Sequence, residues 1–207
     1  MANGKVVVGF SHPYIAKYSN TGTTVTYSSC TAYARGVSVS LDITVSDSDK
    51  WDADNQAAED NSGAFQSGTV KLTCDHPNDK AYALAEGLGT KSTDGWTPYD
   101  DSQAKPFLGL GYVTKYEEDG VYSYVPTLIN KVKLTTGAES ESAETAKSDG
   151  STNFQNGDHS FAIYRSDTAN HTWREDGTTC TTEDAAVAAL VKRLGGTANT
   201  PATSNGG

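Results

Sequence analysis

Apolar and polar residues alternate most clearly between Gly36 and Ser46. One side of this segment carries five aliphatic residues: Val37, Val39, Leu41, Ile43 and Val45. The other side carries small hydroxylated or acidic residues: Ser38, Ser40, Asp42, Thr44 and Ser46. A period of two with many β-branched residues predicts a half-buried strand. We expect the polar side of this strand to lie against water or a water-filled space.

Further segments show the strand pattern. From Thr69 to Cys74, apolar residues again alternate with Thr and Lys. The segment from Phe107 to Asn130 predicts a β-hairpin whose turn is Glu117 to Gly120, because glycine tolerates a positive φ there. His159 to Arg165 predicts a late strand with an apolar side. Together these patterns predict a mainly β protein.

Two helices are predicted. The first begins at Pro77, a good first helical residue preceded by Asp75 or His76, and ends at Gly87. The second spans Glu183 to Leu194 with Thr182 as its N-cap, within a C-terminal helical segment 181–196. Its apolar stripe consists of Val187, Leu190, Val191 and Leu194. Residues 1–180 would form one β domain, and the small polar residues 197–207 predict a flexible tail.

A polar stretch from Asp47 to Ser67 has no sustained period and predicts a long loop. It is longer than most loops of compact domains, and loops of this length are usually functional or disordered. Trp51 and Phe65 lie near its ends. Aromatic residues in exposed loops often mark contact sites.

The composition narrows the function classes. The chain has 207 residues, a formal charge of −10 and 16 Lys and Arg that are scattered rather than clustered. Such a chain repels nucleic acid and anionic membranes at long range. The N-terminus shows no signal-peptide pattern, and no apolar run approaches membrane-spanning length. We therefore expect neither DNA binding through phosphates nor a membrane partner.

The three cysteines, Cys30, Cys74 and Cys180, are odd in number and far apart. This spacing argues against a disulfide framework and favours free thiols in a reducing cytoplasm, although pairing of Cys30 with Cys74 stays open.

Motifs for catalysis or metal binding are weak throughout the sequence. The acidic stretch from Asp47 to Asn55 lacks the glycine and the distal glutamate of a calcium loop. None of the four histidines has a partner at the spacing of a two-ligand metal motif. A catalytic cysteine with a distant histidine stays open, but no motif around a cysteine supports it. We expect no cofactor and a structural protein rather than an enzyme.

The order of short motifs along the chain is similar to that of a known protein family. The motifs are Lys5–Phe10, Tyr14–Tyr18, Val25–Tyr27, Ala34–Ser40, Trp51–Asn55, Gly68–Leu72, Pro106–Tyr112, Gly120–Val125, Asn153–Gln155 and Trp173–Arg174. This succession resembles the major tail proteins of siphophages, the type common in phages of Gram-positive bacteria. The acidic loop departs from the family by having Trp51-Asp52-Ala53-Asp54 in place of the frequent Tyr-Ala-Asp.

The resemblance implies a fold and an assembly. The fold would be a β-sandwich or half-barrel with one flanking α-helix, and the C-terminal helix is a less certain match. Subunits would close into hexameric rings that stack into the tail tube, through which genomic DNA passes without specific binding. The other implied partners are a tape measure protein and a tail terminator. The protein would be assembled in the host cytoplasm and located in the tail of the virion.

Two hypotheses about sites follow. The first is that the lumen of the tube is lined by a polar strand face made of Ser38, Ser40, Asp42, Thr44, Thr69 and Thr73. The second is that the long loop contacts a neighbouring subunit through Asp47, Asp49, Trp51, Asp52, Asp54, Asn55 and Phe65.

Other functions stay open from the sequence. One is a different ring protein of a phage or injection machine, such as a tail terminator or the inner tube of a contractile system. Another is a secreted glycan-binding β-sandwich that would use exposed Trp and Tyr as stacking platforms, although the odd cysteine count argues against it.

Overall fold

The chain folds into one large antiparallel sheet with a helix against each of its faces. The computed structural model describes residues 4–46, 50–53, 56–60, 64–89, 93–100, 103–137 and 155–197. The elements are β1 (Val6–Thr21), β2 (Thr24–Ala32), β3 (Gly36–Val45), β4 (Lys50–Ala53), β5 (Gln56–Asp60), β6 (Phe65–Cys74), α1 (Asp79–Glu86), β7 (Leu108–Glu118), β8 (Val121–Thr136), β9 (Gly157–Ile163), β10 (Arg174–Asp176) and α2 (Glu183–Arg193). The expectation of a mainly β protein with two helices is confirmed.

The order of strands in the sheet is β2-β1-β7-β8-β9-β6-β3, and short β10 pairs with β8 beside this path. The sheet curls, because β1 and β3 come together although four strands separate them in this order. The ring of Phe10 in β1 lies so close to Gly36 in β3 that no Cβ would fit there. Strands β4 and β5 form a separate two-stranded hairpin.

The main core fills the inside of the curl. Ile15 of β1, Val70 of β6 and Phe161 of β9 belong to one buried cluster, together with Ala81 and Ala85 of α1. Helix α1 therefore packs against the inner face of the sheet. Burial of these aliphatic and aromatic side chains stabilises the fold by about 1.5–3 kcal/mol for each large one.

Helix α1 begins at Asp79, two residues later than predicted. Its N-cap is Asn78, whose side chain accepts a hydrogen bond from the backbone N–H of Ala81 at 2.9 Å. Asp75 is unavailable as a cap because its carboxylate accepts hydrogen bonds from the backbone N–H and the side chain of Arg35. The predicted stop is confirmed: Gly87 ends the helix at φ 70°.

Helix α2 agrees with the prediction at both ends. Thr182 is its N-cap and accepts a hydrogen bond from the Ala185 N–H at 3.3 Å. The predicted stripe of Val187, Leu190, Val191 and Leu194 is buried against the outer face of the sheet, in a second cluster with Ala16, Val113 and Leu128.

The β7–β8 hairpin is confirmed, but its turn is shorter than predicted. The strands are joined by Asp119 and Gly120 alone, with φ angles of 52° and 79°. Two successive positive φ angles are typical of the type I′ turn, which matches the twist of antiparallel strands. The N–H of Gly120 also donates to the Glu117 carboxylate at 2.8 Å.

The prediction that Asp47 to Ser67 is a loop is wrong. The segment contains the β4–β5 hairpin, and β6 already begins at Phe65. Strands β4 and β5 are rich in Asp, Glu, Lys and Ala, which are depleted in strands, so their composition does not indicate β structure. Asp47, Asp49, Asp54 and Asn55 lie outside the described residues.

All three cysteines are free thiols, so the preference for free cysteines is confirmed and Cys30 does not pair with Cys74. Within the described part of the chain, neither helix has the length and apolar character that crossing a membrane would require.

Candidate functional site

The outer face of the sheet is divided into two halves. Helix α2 covers the half formed by β1, β7 and β8, where Gly109 and Gly111 lack side chains and let Leu194 and Leu190 approach closely. Strands β9, β6 and β3 continue the sheet beyond the helix. Their uncovered polar side chains, which we call the open face, are Ser38, Ser40, Asp42, Thr44, Ser67, Thr69, Lys71, Thr73, Asp158 and Ser160.

Strand register brings these side chains together. Directly paired residues of antiparallel strands point to the same face of a sheet. Ser38 pairs with Thr73 and Asp42 pairs with Thr69, so the predicted polar face spans two adjacent strands. Strand β9 extends it, since Thr73 also pairs with Asp158. The structure therefore unites all six residues that the sequence proposed for this face.

The aliphatic residues that alternate with the polar residues of β3 explain why the open face points away from the core. Val39, Leu41 and Ile43 alternate with the polar residues of β3 and pack against the main core. Val37 departs from the alternation, because a register shift between Gly36 and Ser38 leaves it 57% exposed. The aliphatic face of β3 is thus confirmed for its central residues.

The open face is hydroxylated and close to charge balance. Asp42 and Asp158 contribute two carboxylates, whereas Lys71 contributes an ammonium and Lys133 borders the face opposite Ala162. The Thr73 hydroxyl donates to Asp158 at 2.6 Å. The open face is therefore less acidic than the chain as a whole, whose formal charge is −10.

A lysine marks the border between the open face and the part covered by α2. The Lys131 ammonium donates to Asp167 at 2.8 Å and lies 4.6 Å from the centre of the Phe107 ring. Hydrogen bonds from Lys131 and from the Tyr18 hydroxyl lower the pKa of Asp167 below its usual value. Burial raises the pKa of Tyr18 to about 12, so its hydroxyl stays protonated as a donor.

The sheet ends in two long strands that each have a partner on one side only. Among the described residues, β2 pairs with β1 alone and β3 pairs with β6 alone. Val37 and Val45 of β3 are at least half exposed. An unpaired edge presents backbone N–H and C=O groups to another strand, and proteins usually cover or blunt such an edge.

The second group of predicted site residues is only partly placed. Trp51 and Asp52 lie in β4, where their backbones pair with Glu59 and Ala57 of β5. Phe65, which was expected on an exposed loop, is buried with 8% exposure and stacks on Trp173 of the same chain. Its ring is therefore a core contact, and an intersubunit role of the rest of the segment stays a prediction.

Four residues of the open face were missed in the sequence: Ser67, Lys71, Asp158 and Ser160. Ser67 was assigned to the long loop rather than to a strand. Lys71 lies between Thr69 and Thr73 in the same polar alternation, so the pattern already indicated it. Asp158 and Ser160 come from β9, and local periodicity does not say which strand will be its neighbour.

The described residues contain no group of three or more His, Cys, Asp or Glu that could hold a metal ion. No protein-family model matches the chain, and neither does any curated protein.

Proposed function

We propose that this chain is a structural virion protein that polymerises as stacked hexameric rings into the tail tube of a siphophage, a conduit for DNA ejection. The observation that carries the proposal is that β2 and β3, at the two ends of one curled sheet, each pair with a single strand among the described residues. If the β3 edge of one copy pairs with the β2 edge of the next, each copy contributes to a continuous wall. Ring closure then removes both edges from solvent.

The open face supports the choice of lumen lining. It includes the edge strand β3, so edge pairing would make the open faces and the α2-covered halves of successive copies alternate around the ring. Its hydroxyl groups keep the surface wet, and it contains one lysine within a mixed-charge pattern rather than a cluster of cations. Tight binding of DNA phosphates requires clustered Lys or Arg. DNA would therefore pass along this face without being held.

Negative-stain electron microscopy of the concentrated protein tests the assembly. We expect tubes with a central channel from the wild type. The double variant Val37→Lys, Val45→Lys should prevent assembly, because charged residues on an edge strand oppose strand addition. Val121→Lys is the matched control, since Val121 is 68% exposed but lies beside the β7–β8 turn, and it should leave tubes intact.

The outcomes of this experiment also distinguish the other proposed classes of protein. Single rings that never stack would favour a tail terminator, and a contractile inner tube would also require a surrounding sheath. A stable monomer that binds glycans through exposed aromatic residues would replace the proposal with a glycan-binding module. A reconstruction of the tube with Ser40 and Thr69 on the outside would contradict the proposal that the open face lines the lumen.

A further inference from the structure

Three strands of the large sheet pair with a single neighbour among the described residues, and they differ in composition. Strand β10 pairs with β8 alone, and its three residues, Arg174, Glu175 and Asp176, are all charged. Strand β2 contains no charged residue and no proline, and Asp42 is the only charged residue of β3. Charged residues and proline on an edge oppose the addition of another strand. The edge of β10 is therefore protected, whereas the edges of β2 and β3 are open to a further strand.

Strand direction determines how the two open edges can meet. Every junction along the path from β2 to β3 is antiparallel, so the direction alternates from one strand to the next. The path contains seven strands, and its first and last members, β2 and β3, therefore run in the same direction. A junction that continues the sheet from β3 to a β2 strand, within one copy or around a ring of copies in one orientation, has to be parallel.

One copy cannot form this parallel junction by itself. Strand β2 ends at Ala32 and β3 begins at Gly36, so three residues connect them. A connection between adjacent parallel strands has to return along the length of a strand and needs a dozen or more residues. Three residues span about 10 Å, whereas β2 with its nine residues is about 30 Å long. Tyr33 in the connection is also fully buried, with its hydroxyl 3.1 Å from Nδ1 of His159. A parallel partner for either edge therefore has to come from another chain.

We propose that the β3 edge of one copy pairs in parallel, head to tail, with the β2 edge of a second copy in the same orientation, an inference that rests on the proposed ring assembly. The two edges match in length, with nine residues in β2 and ten in β3. The ring of Phe10 occupies the space beside Gly36, so the start of β3 is covered within its own chain. The second copy would therefore add along the later part of β3, which ends at half-exposed Val45.

The direction of this junction has a consequence for assembly. Two different edges meet, so the contact is heterologous, and it repeats from copy to copy until a ring closes or a filament forms. A dimer with a two-fold axis would instead pair like edges, β2 with β2 or β3 with β3. Parallel pairing is slightly less stable per residue than antiparallel pairing. The junction between copies is therefore weaker than the junctions inside each copy, which makes assembly dependent on concentration.

Blocking one edge at a time tests the head-to-tail contact. The variant Thr24→Lys, Ser28→Lys places charges at two exposed positions of β2. The variant Val37→Lys, Val45→Lys does the same on β3. In sedimentation velocity at a concentration where the wild type assembles, each variant alone should stay monomeric. An equimolar mixture should form a complex of about twice the monomer mass, because each variant keeps the edge that the other lacks. The control Val121→Lys, beside the β7–β8 turn, should assemble as the wild type does.

Cross-linking measures the strand direction independently. Thr24→Cys or Ser28→Cys protein is mixed with Ser40→Cys or Thr44→Cys protein, a short bismaleimide is added, and peptide mapping by mass spectrometry identifies the linked positions. Each copy carries one introduced cysteine, so a link between a β2 position and a β3 position joins two copies. Positions 40 and 44 are about 13 Å apart along β3. In a parallel contact, moving the β3 cysteine from 40 to 44 should shift the linked β2 position from 24 towards 28. The opposite shift would show antiparallel pairing.

Each outcome bears on one proposal or on both. Wild-type tubes together with a dimer of either blocked variant alone, a mixture that stays monomeric, or the antiparallel shift overturn the parallel contact and leave the tube proposal standing. A complex in the mixture and the parallel shift, without rings or tubes from the wild type, overturn the tube proposal and keep the contact. A wild type that stays monomeric at all concentrations and gives no link between β2 and β3 overturns both.

Discussion

The ring of Phe65 stacks on the ring of Trp173, with 5.4 Å between the centroids and 21° between the planes. Phe65 begins β6 and Trp173 directly precedes β10, so the contact joins two distant parts of the chain. The Arg165 guanidinium also donates to the Phe65 carbonyl, at 3.0 Å from Nε. This arrangement anchors the start of β6 to the body of the protein.

Phe65→Ala should therefore destabilise the monomer itself. Removing a buried phenylalanine ring costs about 3–5 kcal/mol through lost burial and the cavity left behind. The free energy of unfolding from urea titration measures the change. Phe107→Ala is the matched control, because Phe107 is 38% exposed and its truncation should cost clearly less. Equal losses from the two variants would contradict the core role of Phe65.

Gly111→Ala should loosen the packing of α2 on the sheet. A Cβ at position 111 would collide with the Leu190 side chain, so the helix must shift or Leu190 must leave its rotamer. Such overpacking costs about 1–3 kcal/mol. Gly9→Ala is the control, since a Cβ at that position in β1 meets no atom within 4 Å. Thermal unfolding of both variants tests this prediction. The melting temperature of Gly111→Ala should be lower than that of Gly9→Ala, and equal melting temperatures would contradict the prediction.

Asp167→Asn should lower stability in a pH-dependent way. Lys131 and Tyr18 hold the pKa of Asp167 below its ordinary value of 3.8. The stabilisation is therefore complete above the unfolded pKa and is lost as the pH falls through the lower folded value. Because the carboxylate is partly exposed, we expect a loss of about 1 kcal/mol at pH 7.

Chemical denaturation at several pH values checks this prediction. The difference between wild type and Asp167→Asn should shrink as the pH falls below 3.8. Asp42→Asn on the open face is the control, and its effect should stay within about 0.5 kcal/mol at neutral pH. A difference for Asp167→Asn that does not change with pH would show that the charge of this carboxylate is not the cause.

Cys74 should resist thiol reagents in the native protein. Its side chain has no exposure, and burial together with nearby Asp75 and Asp158 raises its pKa to about 12. The reactive thiolate is therefore both scarce and inaccessible at pH 8. Mass spectrometry after brief alkylation should find label on half-buried Cys180 and none on Cys74. Denaturant should make all three cysteines react, and native labelling of Cys74 would contradict the packing.

Several elements could be predicted because their signals are local. Thr182 caps α2, and the residues that follow at helical spacing are buried as their pattern indicates. In β3 the alternation of Ser40, Leu41, Asp42 and Ile43 already separates the two faces. In both cases the residues that carry the signal are neighbours along the chain, so periodicity and capping preferences are sufficient.

The predictions that failed depend on contacts between segments that are far apart in the sequence. The β4–β5 hairpin has a polar, strand-poor composition, so its sequence favours a loop until pairing is known. Helix α1 was predicted to begin at Pro77, but Asn78 caps it, whereas the Asp75 carboxylate accepts hydrogen bonds from Arg35. Neither partner choice is visible in a local window.

The sequence by itself determined that the chain is mainly β, that β3 has a polar side, and where α2 begins and which stripe it buries. These properties follow from side-chain spacing along an extended strand or a helix. Only the tertiary structure decided that β9 joins the open face, that α2 covers half of the outer sheet, and that Phe65 turns inward onto Trp173. Those outcomes depend on shape and hydrogen-bond complementarity between distant segments, which local periodicity does not encode.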